Sequence, residues 1–235
     1  MKKIGVLVFI LALIVGSVAA YIFSVGNFFS DDSISIGLSR RTSPSGNVVV
    51  EKREVSDFKA VQVSGLFTVE IVAQKEFSLE VETDDNILQY IKTEVNDGVL
   101  VISKERGWFK KFRAKIRISA PHIEGLEVSG VTKTSLENLD GESLKIELSG
   151  ASKIEASGKV NDLEIDMNGA SKLNAKGLKA VNVSVDGSGA SRAYVSVRQK
   201  LNSDLSGASR VSYYGDPAEI NKENSGASSL RQAGE

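Results

Sequence analysis

Between Val48 and Ala120 hydrophobic residues recur at every second position. Val69 and Ile71 alternate with Thr68 and Glu70, and Phe77, Leu79 and Val81 alternate with Ser78, Glu80 and Glu82. A two-residue period puts one side of the chain inside and the other in water, which predicts half-buried strands and not amphipathic helices. Phe58, Ala60, Val61 and Val63 open this section, and Lys115 to Ser119 repeat the alternation before Pro121. Asp84-Asp85-Asn86 supplies N-cap chemistry ahead of Ile87, Leu88 and Ile91, predicting one short helix. Asn96-Asp97-Gly98 predicts a tight hairpin before a strand from Val99 to Ser103.

After Pro121 a phrase takes over. Ser149-Gly-Ala-Ser-Lys153, Asn168-Gly-Ala-Ser-Lys172, Ser188-Gly-Ala-Ser-Arg192, Ser206-Gly-Ala-Ser-Arg210 and Ser225-Gly-Ala-Ser-Ser229 follow a degenerate copy, Ser129-Gly-Val-Thr-Lys133. The glycines at 130, 150, 169, 189, 207 and 226 are 18 to 20 residues apart. A fixed short period is the mark of stacked units, each burying a face that its neighbour completes. Counting each unit from the residue before its glycine, the apolar columns stand at −3 (Leu126, Ile146, Ile165, Val185), −1 (Val128, Leu148, Met167, Leu205), +5 (Ile154, Leu173, Ala193, Val211) and +7 (Leu136, Ala156, Ala175, Val195). All are odd, so a strand keeps its inside and outside through the Gly-Ala-Ser segment and bends there without slipping. Glycine suits such a corner, where unusual dihedrals or a close neighbouring coil are required. Frequent Gly and Ser argue further against helix. The predicted fold is all-β: a right-handed parallel β-helix, or β-solenoid, of repeats near 19 residues, the hand following the crossover rule. A β-rich N-terminal section holds the one short helix.

The N-terminus changes the picture of where this fold sits. Lys2 and Lys3 precede an uncharged run from Ile4 to Phe23, long enough to span a bilayer. Ser17, Ala19 and Ala20 could form a signal-peptidase site, whereas the apolar residues continuing to Phe23 favour an uncleaved anchor. In both cases the remainder is exported. The expected organisation is 1–23 signal peptide or transmembrane anchor, 24–45 a Ser/Gly/Asp-rich spacer, and 46–235 a single solenoid domain, with 46–120 as its capping part and 121–235 as the repeat coils. The absence of cysteine excludes disulfides, thiolate metal sites and a cysteine-borne lipid anchor. A net charge of −1 argues against a nucleic-acid partner.

The string from Val50-Glu51 through Phe58-Lys-Ala-Val-Gln-Val-Ser-Gly65, the Asp97-Gly-Val-Leu-Val-Ile102 segment and the serial Ser-Gly-Ala-Ser phrase together resemble the putative auto-transporter adhesin, head GIN domain family, over roughly 47–233. The resemblance implies a right-handed β-helix, an envelope location and, from some members, lipid binding. It carries over no catalytic residue. The first copy, Ser129-Gly-Val-Thr, departs from the phrase and blurs where the regular coils begin.

Stacking turns a repeated residue into a column. Position −2 is acidic in every unit (Glu127, Glu147, Asp166, Asp186, Asp204, Glu223), and position +4 is basic in five (Lys133, Lys153, Lys172, Arg192, Arg210). Both are even and face solvent. Like charges one coil apart repel by roughly 1 kcal/mol even in water, so something must offset them. Either the side chains splay and the two columns compensate across the bend, or a column binds a glycan or lipid head groups, or the acids hold Ca²⁺, for which no calcium-loop spacing is present. The +3 serines (Ser152, Ser171, Ser191, Ser209, Ser228) face inward, where hydroxyls need backbone partners. Five equivalent serines and a single histidine, His122, make no catalytic triad. The loop Arg106-Gly-Trp-Phe-Lys-Lys-Phe-Arg113 sets Trp108 and Phe109 beside Lys110 and Lys111, either as aromatics folded over the core end or as a surface for anionic membrane or sugar. The functional expectation is a non-catalytic, cofactor-free, adhesin-like binding module of the cell envelope. Its partners would be an extended glycan or lipid head groups, with the membrane contacted through residues 4–23. The alternative is a structural envelope protein forming homo-oligomers through an open solenoid end.

Overall fold

In the computed structural model, residues 43–105 and 113–234 are described. The strands are β1 (Val48–Arg53), β2 (Ala60–Gly65), β3 (Thr68–Ala73), β4 (Ser78–Asp84), β5 (Ile91–Asn96), β6 (Val99–Lys104), β7 (Ala114–Ala120), β8 (Gly125–Gly130), β9 (Lys133–Leu148), β10 (Lys153–Met167), β11 (Lys172–Gly187), β12 (Arg192–Leu205), β13 (Arg210–Tyr214), β14 (Glu219–Asn224) and β15 (Ser229–Gln232). Among the described residues one helix, α1 (Asp85–Leu88), lies between β4 and β5. The fold is a β-solenoid, as the period requires. Each of β9 to β12 bends along its length, serving two ladders joined by a short third side. The first ladder stacks β1, β4, β7 and β3 on the leading halves of β9 to β12, then β13 and β15. The second stacks β5, β6, β2 and β8 on the trailing halves, then β14. Pairing is parallel except at β1·β4, β4·β7 and β5·β6.

Inward residues of both ladders meet in one apolar cluster, with Ile71, Ile102, Ile116, Leu136, Leu144, Ile146, Ile154 and Ile165 fully out of water. Burial stays on odd positions from Leu144 through Ile154, so the corner preserves parity as the columns predict. On the third side it does not. Burial passes from Ala175 to Leu178 and Ala180 and returns to odd positions at Val183, which is how the coil turns back on itself.

Two features depart from a plain reading of the chain. The coil formed by β2 and β3 lies between the coil of β6 and β7 and that of β8 and β9, so Val61 pairs with both Leu100 and Leu126, and Val69 with both Ile116 and Thr134. Stacking order here is not sequence order. The helix is also shorter than its hydrophobic spacing suggests. Ile91 belongs to β5 and is buried there, because an antiparallel pair with β6 supplies a full ladder of backbone partners. Asp84 stands at the N-cap without capping the helix; its carboxylate instead accepts the Gly46 N–H at 2.7 Å. The hairpin forms where expected, with Asp97 and Gly98 at φ 49° and 77° between the paired Asn96 and Val99, the two positive dihedrals of a type I′ turn.

The corner is a column of glycines. Gly130, Gly150, Gly169, Gly189, Gly207 and Gly226 have φ between 69° and 94°, in the left-handed region that L side chains disfavour. A Cβ on any of them would come within 2.5–2.8 Å of the carbonyl oxygen of the glycine one coil below, the series starting at Gly65. That carbonyl is occupied by the next coil: Ala151 N–H donates to Gly130 O at 2.9 Å, Ala170 to Gly150 at 2.8 Å, Ala190 to Gly169 at 2.8 Å and Ala208 to Gly189 at 2.7 Å. The inter-coil ladder therefore crosses the bend unbroken. Gly169→Ala should lower unfolding free energy by about 2–4 kcal/mol, the joint effect of a left-handed alanine and a backbone clash. Gly141→Ala, whose new methyl would meet no atom within 4 Å and whose φ is ordinary, should be neutral or slightly stabilising. Urea midpoints of the two variants check the contrast.

Candidate functional site

Because the ladders are in register, the charged positions become rows of neighbours. Glu127, Glu147, Asp166, Asp186, Asp204 and Glu223 are successive Cα partners on the outer face of the second ladder. Lys133, Lys153, Lys172, Arg192 and Arg210 are successive partners on the outer face of the first. No ion pair joins one row to the other among the described residues. Compensation comes instead from within each face. Lys145 reaches Glu164 at 3.0 Å, Glu147 at 3.1 Å and Asp166 at 3.3 Å, and Gln62 donates to Glu127 at 3.0 Å. Burial works against the Lys145 ammonium, but hydrogen bonds to Glu164 and Glu147 outweigh it and hold its pKa above an ordinary lysine's.

The remainder of the acid row is less well served. Burial, followed by the charges of Asp166, Asp204 and Glu164, pushes the Asp186 carboxyl up, with Lys145 countering only in part. Burial likewise raises Glu127, opposed by the Gln62 hydrogen bond and reinforced by Glu147.

The basic face divides in two. Towards the N-terminal end of the first ladder, cations are neutralised: Lys115 pairs with Glu70 at 2.9 Å and Arg117 with Glu82 at 2.6 Å. Lys153 pairs with Glu155 at 2.6 Å, and the fields of Lys133 and Lys172 add to those that lower the Glu155 pKa, the Lys153 hydrogen bond being the largest cause. Further along, Lys172 lies 5.5 Å from the Tyr194 ring centroid and Lys176 4.4 Å from that of Tyr214, cation–π distances. Arg192 and Arg210 are exposed and have no acidic neighbour in their own face: the outward residues beside them are Lys172, Asn174, Tyr194, Ser212, Ser229 and Arg231. Sequence reasoning singled out the five cations and missed the two tyrosines. Even parity at +6 and +8, next to the basic column, is the signal that places Tyr194 and Tyr214 on that face.

Trp108, Phe109, Lys110 and Lys111 lie outside the described residues, as does the apolar segment 4–23. Among the described residues no helix is long and apolar enough to cross a membrane, and no group of three His, Asp or Glu is placed to hold a metal ion. Four of the five +3 serines are buried, Ser228 is half-buried, and their hydroxyls are unevenly partnered. Ser152 donates to Ser149 O at 3.1 Å and Ser228 to Ser225 O at 2.8 Å, while Ser191 donates to Ser209 Oγ at 3.1 Å. Ser171 Oγ has no hydrogen-bond partner among the described residues. This column is part of the corner. A cleft of about 880 Å³ near β1, β4 and β5 is lined by Val55, Phe77 and Val95, and the Arg53 guanidinium there is engaged by Glu51, Ile91 O and Thr93.

The family model described as Putative auto-transporter adhesin, head GIN domain, matches residues 57–217. The chain belongs to this family. Among solved structures, a putative adhesin from Bacteroides fragilis is 18% identical, with a TM-score of 0.71 over 82% of this chain and 100% of its own. A putative adhesin from Parabacteroides merdae is 16% identical, with a TM-score of 0.50 over 83% of this chain and 99% of its own. A putative lipid binding protein from Parabacteroides distasonis is 19% identical, with a TM-score of 0.50 over 83% of this chain and 100% of its own. At such identities the likeness is one of fold. A search of curated proteins finds no match.

The acid row carries its own test. A carboxyl whose folded pKa is raised contributes stability below its unfolded pKa, about 3.9 for Asp, and loses that contribution as pH rises through the folded value. Asp186→Asn should therefore be more stable than the parent at pH 7, and the gap should close as pH falls through the carboxylate range. Urea midpoints of both proteins across that range give the comparison.

Proposed function

We propose that the chain is an exported, non-catalytic binding module of the cell envelope, tethered through residues 4–23, that takes a linear anionic glycan or anionic lipid head groups on the outer face of its first ladder. One observation carries this reading: Arg192 and Arg210 continue the row of Lys172 in register, flanked by Tyr194, with no carboxylate among the outward neighbours of the two arginines. Parallel coils repeat at about 4.8 Å, so the row offers evenly spaced cations to a ligand with repeated charge. Each exposed contact is weak, and repetition supplies the strength. Arginine adds bidentate geometry for carboxylate, sulfate or phosphate oxygens, and tyrosine offers an apolar face beside a polar tip. Adhesin-like family membership fits a binding role. The Parabacteroides distasonis neighbour, named a putative lipid binding protein, keeps head groups beside glycans as the ligand class.

The test uses the full-length chain in phosphatidylcholine nanodiscs, presented to polygalacturonate and to phosphatidylglycerol vesicles. Binding to at least one is expected at about 50 mM salt and should fade towards about 500 mM, where the screening length is only a few ångströms. Arg192→Glu with Arg210→Glu should weaken it at least about tenfold. Equal binding by this double variant would count against the first ladder as the site.

A further inference from the structure

The coils are not all the same length, and the difference falls in one place. Both ladders and the glycine corner stay in register from β9 to β12, while the register shifts lie between Ala156 and Gly158, between Ala175 and Lys179, and between Ala180 and Asn182. The coil from Gly169 to Gly189 spans 20 residues and the next, to Gly207, spans 18. The third side absorbs this mismatch and is stepped. Two depressions lie along it, of about 390 and 470 Å³, and they share the wall Asp140-Gly141-Glu142. Together they run from Lys59 and His122 past Lys159 and Lys179 to Arg198, five coils, or about 19 Å at the usual coil spacing.

The charge in this groove is polarised. At one end Asp140 holds Lys159 at 3.0 Å, and Lys59 is held by Glu124 at 2.9 Å. At the other, Lys179 is the Cα partner of Lys159 one coil away, and Arg198 follows on the shortened coil. Both are exposed. Val160, Asn161 and Val181, which line the same depression, are uncharged, and its second carboxylate, Glu142, lies with Asp140 on the acidic wall. Here the repeat is broken by unlike residues within a concavity, where a regular row gives way to a local arrangement.

We propose that this groove is a second subsite, in which Lys179 and Arg198 bind the carboxylate or sulfate groups of a linear acidic polysaccharide lying along the solenoid axis. This deepens the anionic-ligand reading above and rests on it. A concave, axial groove receives a thread and not a plane, so it selects a polymer over a lipid surface. The partner's charge must be spaced along a flexible chain, as in a polyuronate, to meet Lys179 and Arg198 in the groove and Lys172 and Arg192 around the corner of the same coils.

The experiment compares full-length chain in phosphatidylcholine nanodiscs with two double variants, Lys179→Gln/Arg198→Gln and Arg192→Gln/Arg210→Gln, against a galacturonate tetramer and against phosphatidylglycerol vesicles. Both pairs are exposed, and far-ultraviolet circular dichroism with a urea midpoint verifies that each variant folds. The groove variant is expected to lose at least about tenfold in tetramer affinity, with vesicle binding unchanged. Tetramer binding by the groove variant equal to the parent's overturns the groove subsite. If the parent binds vesicles but not the tetramer, the groove subsite falls and the first-ladder reading stands. If the parent binds neither, both fall.

Discussion

The structure depends on one repeated backbone contact: a glycine carbonyl in the left-handed conformation accepting the alanine N–H of the coil above. Where a ladder is interrupted at a turn, the polar groups freed there need water or side chains. Here Gly130 through Gly207 carry the hydrogen bonding around the bend, which is possible only while no Cβ separates successive coils. Every coil is thereby pinned at the same point. The two ladders leave the corner in register, and length variation is pushed to the far side.

From that pinning follows the electrostatics. A column repeated in sequence becomes a row of like charges in space, and the fold must either neutralise it or leave it for a ligand. The acid row is partly neutralised by Lys145 from its own face, and Gln62 donates a hydrogen bond to Glu127. On the basic face Glu70 and Glu82 neutralise Lys115 and Arg117, Glu155 neutralises Lys153 of the row itself, and Arg192 and Arg210 are left without acidic neighbours. A net charge of −1 thus averages over faces of opposite sign. Whole-chain charge argues against a partner that would engage all sides at once, and says nothing of one that engages a single face.

Much of this was legible because the repeat and the two-residue period agree. The parity of Leu148, Ser152 and Ile154 specifies the corner, and the +4 cations can be placed outside from spacing alone. What could not be read is where neighbours in space are far apart in sequence. The coil of β2 and β3 pairs with β8 and β9 across 65 residues, and only the spacing of Ser64-Gly65 to Thr68, which matches Ser129-Gly130 to Lys133, hints at it. Ile91 continued a helical spacing yet joined a strand, since the pairing with β6 outweighs a four-residue helix. The third side escaped because its parity changes and its length varies, so no column forms there to be counted.

The most direct measurement is amide hydrogen exchange at the corners, followed by NMR on the full-length chain in nanodiscs. Ala151, Ala170, Ala190 and Ala208 have exposed side chains, yet their N–H groups are bonded to the glycine carbonyls below. They should exchange as slowly as Ile146 and Ile165 within the second ladder, opening only with the coil as a whole. Exchange at the rate of an open surface turn would mean that the ladder breaks at each bend, and that the glycine column does not set the register of the faces.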